Sequence, residues 1–397
     1  MSCCVERSMD INFKVSPEEF LNLYQEKKPL LMKGCLAQDL ISWQDVNQIL
    51  TGRDVNSDDF KLSLNGIVPK SEYVESYIDV GTLRHRLNKS SLYKLLRQGA
   101  TLIDNKIVGE PLFDDLAKQI AAYCGRQTVV SSYAAFGEKD SFRNHWDTRD
   151  VFVLQLIGRK KWTVYPPSFE NPLFMQQSKD LEQSFPCSDT PYMEFMLEAG
   201  DIFYLPRGWW HNPMPVGEET FHLAVGTFPP FAINYVEWIM TQLPNLPAAR
   251  KSLDSGEDDL ATLKELADHM SALLLNPEKY QDFLNHFYAS QRLPSAPAID
   301  IFGNPAVNTI ADDMTLSLNA NKAYGLSENY LIANGMKLDL DDVGLNIVTI
   351  IHSSGCITFG ELREKISMEH QLVLNEIVWN LSRLDIVTIK RGMLRKK

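Results

Sequence analysis

Two segments of this chain place metal-binding side chains next to apolar, strand-like runs. His145 and Asp147 directly precede an alternating apolar run over 151–157, and His211 ends a second such segment that begins at Gly200. Side chains two residues apart on an extended strand point to the same side, so His145 and Asp147 can reach one ion, and His211 must then come from another strand. Two imidazoles and one carboxylate are the ligand set of mononuclear non-haem Fe(II) sites with open positions. The sequence therefore predicts a β-rich fold that brings the three residues together.

The open coordination positions of such a site suit a bidentate 2-oxo acid and O2. An alternative interpretation needs no metal: His145 and Asp147 would form a surface turn pair, and His211 would be a core histidine with satisfied hydrogen bonds. The conjunction of all three residues, with the Gly-Asp-Ile-Phe-Tyr-Leu-Pro run before His211, favours the metal site.

At these residues the segment from about Val129 to Pro230 resembles the JmjC branch of the cupin superfamily, the Fe(II)- and 2-oxoglutarate-dependent oxygenases. Within that branch the whole chain is most similar to the ribosomal oxygenases, whose bacterial members hydroxylate an arginine of a ribosomal protein. The resemblance implies an α+β protein. Its expected parts are a double-stranded β-helix, or jelly roll, then a helical dimerisation segment and a C-terminal winged-helix-like domain.

The resemblance also implies Fe(II), 2-oxoglutarate and O2 as cofactors, and a basic residue for the distal carboxylate of 2-oxoglutarate. Lys160 stands at that position, where the bacterial arginyl hydroxylases have Arg. We expect residues 150–165 to form a hairpin that turns at Gly158, with Lys160 and Trp162 on one face and Lys161 on the other. A buried lysine needs an anionic partner, which the co-substrate provides. The alternative is a pair of exposed turn lysines.

Two further strands are expected beside the co-substrate. The run Thr128–Ala135 is rich in β-formers, and alternation lets only Ser132 or Tyr133 face inward. We predict that Ser132 donates its hydroxyl to 2-oxoglutarate. In a later strand His222 is predicted to line the co-substrate pocket, and a core or supporting role is the alternative.

The net charge of the chain limits which macromolecules are expected as binding partners. A formal net charge of −12 over 397 residues argues against a protein whose main task is binding nucleic-acid phosphates, because that binding depends on dense Lys and Arg. We therefore expect a basic protein or peptide as substrate and no direct nucleic-acid binding. The six cysteines show no Cys-x-x-Cys pairing, which predicts reduced thiols. The sequence has no signal sequence and no long apolar run, so we expect a cytoplasmic chain without membrane association.

After Pro230 the apolar residues recur at helical spacing and predict three amphipathic helices up to Phe287. Their apolar faces must be buried, either against a partner subunit or within the chain. The family resemblance implies a homodimer. Further on, three helices and a β-wing at 386–392 predict the winged-helix-like module. Acidic Glu369 and Glu376 on its third helix favour a protein-interaction or packing domain over DNA binding.

The predicted organisation is an oxygenase domain with N-terminal flanking helices at 1–230, a helical dimerisation domain at 231–297, and a linker and winged-helix-like domain at 298–397. The predicted function is an Fe(II)- and 2-oxoglutarate-dependent protein hydroxylase acting on an arginine or histidine of a basic ribosomal protein. The alternatives are a JmjC-type N-methyl demethylase and a non-catalytic protein-binding scaffold on the same fold. The metal motif does not distinguish hydroxylation from demethylation.

Overall fold

The structure is a computed structural model that describes residues 10–138, 143–254, 256–293, 295–320 and 322–391. The chain divides into two compact units, Met1–Phe228 and Pro229–Lys397. The further boundary expected at residue 297 stays a prediction. Among the described residues, no helix combines the length and apolar character needed to cross a membrane.

The first unit is mainly β-structure with short helices. Its helices are α1 Pro17–Leu23, α2 Trp43–Thr51, α3 Lys89–Arg97, α4 Pro111–Cys124 and α5 Ser178–Leu181. Its strands are β1 Leu30–Met32, β2 Phe60–Ser63, β3 Val74–Asp79, β4 Thr82–Leu87, β5 Thr101–Ile107, β6 Gln127–Ala135, β7 Val151–Ile157, β8 Arg159–Tyr165, β9 Met193–Glu198, β10 Ile202–Leu205, β11 Trp210–Pro215 and β12 Thr220–Phe228.

Two antiparallel sheets form the centre of this unit. The larger has the strand order β1-β10-β7-β12-β6-β5-β2, and the smaller has the order β11-β8-β9. Side chains from both sheets, among them Val153, Trp162, Leu197 and Phe203, pack into one buried cluster. The sheets therefore face each other in the jelly-roll arrangement that the family resemblance implies.

Alternation along the strands of the larger sheet separates two surfaces. In β7 the side chains of Phe152, Leu154 and Leu156 join the main hydrophobic core with the helices. The intervening Val151 and Val153 point to the other side and line a cavity. Each central strand therefore supplies one face to the core and one to the cavity.

The predicted hairpin at Gly158 is wrong. Strand β7 pairs with β10 and β12, whereas β8 pairs with β9 and β11, so Gly158 is a corner where the chain leaves one sheet for the other. Its φ is +65°, and a Cβ placed there would lie 2.1 Å from the carbonyl oxygen of Glu219. Glycine is required because it alone tolerates both the left-handed conformation and this close approach.

The second unit is mainly helical. Its helices are α6 Ala232–Met240, α7 Glu257–Leu274, α8 Pro277–Ser290, α9 Ile299–Phe302, α10 Asp342–Ser354, α11 Phe359–Lys365 and α12 Gln371–Arg383. Its strands are β13 Thr315–Leu318, β14 Tyr330–Ala333, β15 Met336–Asp339, β16 Ile357–Thr358 and β17 Val387–Lys390. Helices α6 to α8 confirm the three helices expected after Pro230, and α10 to α12 confirm the later three.

The predicted strand at 386–390 also exists, but its partner was not foreseen. Strand β17 pairs with β13, which pairs in turn with β16, so the sheet closes around a core that includes Leu316, Ile347 and Leu374. Of the turn expected after β17, Arg391 is described and Gly392 lies outside the described residues. The winged-helix identity of this part and the dimerisation of α6 to α8 stay predictions.

Candidate active site

The structure brings His145, Asp147 and His211 together. The backbones of the two histidines pair as an antiparallel bridge, with His211 N–H donating to His145 O at 2.8 Å and His145 N–H donating to His211 O at 3.2 Å. The Asp147 carboxylate lies 3.6 Å from Nε2 of His211. One possible ligand atom from each residue lies within 4.8 Å of the others. Two nitrogens and one anionic oxygen at this spacing fit a single Fe(II) ion.

Hydrogen bonds fix which nitrogen of each imidazole faces the ion. Nδ1 of His145 lies 3.0 Å from Arg143 O, and Nδ1 of His211 lies 3.1 Å from Trp209 O. A carbonyl oxygen can only accept, so each Nδ1 donates and Nε2 is the nitrogen of each ring that can bind a metal ion. Burial, and next the neighbouring His145, lower the pKa of His211 to about 4. The imidazole of His211 is therefore neutral at physiological pH, as a metal ligand must be.

Two tryptophans hold the ligand segments together. Trp146, between the first two ligands, points away from the site and packs edge-on against Trp210 with ring centroids 4.6 Å apart. Its Nε1 donates to Gln176 O at 3.1 Å, and Nε1 of Trp210 donates to Ser168 Oγ at 2.8 Å. Both rings are buried. The residue next to each ligand thus serves packing, and alternation leaves the ligands themselves facing the cavity.

A buried carboxylate ties the ligand strand to the turn before His211. Asp150 accepts hydrogen bonds from Arg126 Nη1 at 2.9 Å, from the Tyr204 hydroxyl at 2.9 Å and from the Arg207 backbone N–H at 3.0 Å. Three donors satisfy this charge, which burial alone would make costly. The network fixes the spacing between the two segments that carry the metal ligands.

A cavity of about 570 Å³ opens beside the three ligands, between the two sheets. Lys160 and Trp162 both line it and are buried, while Lys161 is half-exposed and ion-paired with Glu194 at 2.9 Å. The alternation predicted for this strand is confirmed, although the strand is not part of a hairpin. A lysine ammonium therefore lies in the same cavity as the metal ligands.

His222 also lines the cavity, opposite Tyr133 on the neighbouring strand, and the two rings stack with centroids 5.0 Å apart. Burial, and next the charge of Lys160, lower the pKa of His222 well below its ordinary value, so the ring is neutral. Its Nδ1 is buried without a hydrogen-bond partner among the described residues. A buried polar atom in a cavity of this kind indicates a place for a polar ligand.

The prediction for Ser132 is wrong by one residue. Ser132 shares the core-facing side of β6 with Val130 and Ala134, whereas Ser131 and Tyr133 line the cavity. Alternation predicts that one of the pair Ser132 and Tyr133 faces inward, but it does not say which. The apolar residues at 130 and 134 were the available signal, because they mark the core-facing side.

The sequence interpretation also missed Arg149. This residue lines the cavity two positions after Asp147, on the same side of the chain. The signal in the sequence was a single cation two residues after Asp147, shortly before the mainly apolar run that starts at Val151.

Part of this chain is similar in sequence to known proteins. Residues 105–235 match the family model described as JmjC domain. The NO66 protein of Caenorhabditis briggsae, named a bifunctional lysine-specific demethylase and histidyl-hydroxylase, is 32% identical over 132 residues, or 31% of this chain and 16% of that protein. Ribosomal oxygenase 1 of Gallus gallus is 26% identical over 223 residues, or 54% of this chain and 35% of that protein.

Among solved structures, the Escherichia coli ribosomal oxygenase YcfD in complex with cobalt and 2-oxoglutarate superposes with a TM-score of 0.58. The match has 16% identity and covers 96% of this chain and 99% of that one. This likeness shows a shared fold. The matches to the two curated relatives span about a sixth and about a third of their lengths.

Proposed function

We propose, from the match of residues 105–235 to the JmjC domain model, that this chain is an Fe(II)- and 2-oxoglutarate-dependent oxygenase that hydroxylates a protein side chain. The observation that carries the proposal is one cavity holding His145, Asp147 and His211 together with the buried ammonium of Lys160. A protein that only binds a metal needs His145, Asp147 and His211 but has no use for a buried lysine beside them. A binding site for a dicarboxylic acid beside the metal also needs a cation such as Lys160.

In this proposal each residue has a distinct task. His145 and His211 present Nε2, oriented by the hydrogen bonds of Nδ1 to backbone carbonyls, and Asp147 supplies the anionic ligand. Bound Fe(II) supplies the redox chemistry that couples oxidative decarboxylation of 2-oxoglutarate by O2 to oxidation of a C–H bond. The remaining residues bind, orient and shield the reactants.

Lys160 is proposed to hold the distal carboxylate of 2-oxoglutarate. Its ammonium approaches from the second sheet, across the cavity from the strand of His222. The neutral imidazole of His222 adds a hydrogen bond to the co-substrate through its unpartnered Nδ1. Tyr133, stacked on that ring, replaces Ser132 as the candidate hydroxyl donor, and burial raises its pKa so that the hydroxyl stays protonated.

For the substrate we propose a ribosomal protein, and for the assembly a homodimer formed through α6 to α8. The names of the relatives, ribosomal oxygenase and histidyl-hydroxylase, support the substrate class. Met240 and Leu263, exposed apolar residues on α6 and α7, support the dimer, because such side chains are commonly covered by a partner subunit.

The test is conversion of 2-oxoglutarate to succinate by the purified chain under aerobic conditions, with added Fe(II). Wild type is expected to turn over, and Asp147→Ala is expected to lose both turnover and iron binding, because the only anionic ligand is gone. Asp268→Ala, which removes an exposed carboxylate from α7, is the matched control and should behave as wild type. Full activity of Asp147→Ala would sink the metal assignment.

A second candidate is N-demethylation, which is favoured by the Caenorhabditis briggsae relative, named in part a lysine-specific demethylase. Both reactions use the same site, but demethylation releases formaldehyde and hydroxylation does not. Incubation with ribosomal proteins and with methylated lysine peptides, followed by formaldehyde assay and mass spectrometry, separates the two. A gain of one oxygen on a ribosomal protein without formaldehyde supports the hydroxylase.

A further inference from the structure

Arg149 occupies an unusual place in the cavity. It follows Asp147 by two residues, so that positions 145, 147, 149, 151 and 153 all face the same side and line the cavity. Its guanidinium carbon lies 4.0 Å from the ring centroid of Phe228 and 5.5 Å from that of Phe174. The aromatic rings hold the planar group by cation–π contact, so its orientation is set by packing.

The hydrogen-bonding capacity of this group is unused within the described chain. Among residues 10–138, 143–254 and the later described ranges, the guanidinium of Arg149 has neither a hydrogen bond nor an ion pair. It is half-buried, and an arginine carries five N–H donors. Stacking on ring faces leaves the N–H groups at the edge of the guanidinium available, which suits two-point binding of a carboxylate.

Asp147, two residues before Arg149, cannot serve as its permanent partner. The negative charge of Asp147 acts on Arg149. Asp147 is also the anionic member of the metal-binding cluster. Once Asp147 binds a cation, its charge is neutralised locally, and Arg149 is left without a counter-charge from that side.

The side chains that line the cavity carry an excess of positive charge, which also favours an anionic ligand. Four basic side chains line it against two acidic ones, a net charge of two positive: Lys61, Lys106, Arg149 and Lys160 against Asp59 and Asp147. The charges of a divalent metal ion and of doubly negative 2-oxoglutarate cancel. The cavity with both bound therefore keeps its net charge of two positive. Of the four, Lys106 is paired with Asp59, at 3.1 Å. Such a cavity repels a cationic side chain and attracts an anionic one.

We propose that Arg149 is a specificity residue that binds a carboxylate of the substrate polypeptide, from an Asp or Glu close to the oxidised residue, and that the oxidised side chain is itself uncharged. The inference rests on the proposed function, since it assigns a substrate class to that same site. The positive charge of the cavity disfavours the cationic side chains of arginine and methyl-lysine as targets. Uncharged imidazole or amide side chains are favoured. The substrate protein as a whole can still be basic, because the charge rule concerns only the segment that enters the cavity.

The experiment is peptide selection without turnover. The full chain, loaded with Mn(II) and 2-oxoglutarate in the absence of O2, is immobilised and exposed to pools of short peptides with a central His, Asn, Arg or Lys and randomised flanks. Mass spectrometry of the retained peptides reports the composition at each flanking position. We expect Asp and Glu to be enriched by about tenfold next to a central His or Asn, as a charge-assisted bidentate bond allows, and the Arg and Lys pools to be depleted.

Variants assign the selection to one residue. Arg149→Gln is expected to lose the acidic preference, and Arg149→Lys to keep only part of it, because the charge remains while the planar fork is lost. Arg97→Gln removes the same charge from an exposed position on α3 and should select peptides as wild type does. Circular dichroism and thermal unfolding show that each variant is folded.

Three results would overturn the inference: no acidic enrichment by wild type, enrichment of Lys and Arg, or an acidic preference that survives in Arg149→Gln. Calorimetric titration of 2-oxoglutarate into the Mn(II)-loaded proteins covers the remaining possibility. Arg149→Gln should bind the co-substrate as wild type does, and a loss of about tenfold or more would assign Arg149 to 2-oxoglutarate instead. Failure of succinate formation would refute the oxygenase proposal separately, because peptide selection requires no turnover.

Discussion

Lys160 offers the most direct test of how the cavity binds its co-substrate. The side chain is 4% exposed and lines the cavity from β8. If it pairs with the distal carboxylate of 2-oxoglutarate, removing it leaves a carboxylate desolvated without a cation. Breaking one partner of a buried charge pair costs about 3–5 kcal/mol, and each 1.4 kcal/mol is about a factor of ten. Lys160→Ala should therefore raise the dissociation constant of 2-oxoglutarate by about a hundredfold to several thousandfold.

Companion variants separate charge from packing. Lys160→Met keeps an unbranched chain in the cavity and should lose nearly as much affinity, since the charge is what binds. Lys160→Arg should retain part of the binding, although the planar guanidinium demands a different geometry. Lys161→Ala is the matched control on the opposite face of the strand, where a half-exposed pair with Glu194 contributes at most about 1 kcal/mol.

The assay is calorimetric titration of 2-oxoglutarate into the Mn(II)-loaded protein, followed by succinate formation with Fe(II) as the 2-oxoglutarate concentration is varied. The expected pattern is a large rise in KM for Lys160→Ala with iron binding unchanged. A dissociation constant within about threefold of wild type, well below 1 kcal/mol, would refute the assigned role of Lys160. Loss of binding in Lys161→Ala with normal binding in Lys160→Ala would mean that the other face of β8 holds the co-substrate.

Other perturbations address the scaffold and the assembly. Asp150→Asn should lower thermal stability by about 1–3 kcal/mol, because it weakens bonds to charged and neutral donors in a buried network; an unchanged unfolding midpoint would contradict that account. Gly158→Ala should cost at least about 1–2 kcal/mol from the left-handed backbone alone, plus the clash with Glu219, and chemical denaturation measures both effects together. For the dimer, light scattering should give a mass near twice 45.2 kDa, and Met240→Glu with Leu263→Glu should shift it to the monomer. A monomeric wild type would show that these faces need no second subunit.

Residue type and local spacing were enough to predict the candidate metal site. His145, Asp147 and His211 are interpretable as one ligand set because residue type and two-residue spacing reflect the side-chain geometry of a strand. The helices were equally accessible, since the apolar spacing from Ile233 onward depends only on local periodicity. The alternation that places Lys160 and Trp162 on one face is local as well, and it survives in the structure.

Local periodicity left other features open, and these depend on how distant segments pack. Alternation relates neighbouring side chains to one another, but the side that becomes the interior depends on which sheet packs where, so Ser132 was chosen in place of Tyr133. Likewise, Gly158 has the local signature of a turn, and only the pairing of distant strands makes it a corner between two sheets. The contact of the Arg149 guanidinium with Phe228, far along the chain, likewise depends on the tertiary structure. Strand pairing and cavity walls are set by contacts between residues far apart in sequence, and a single sequence carries no direct record of those contacts.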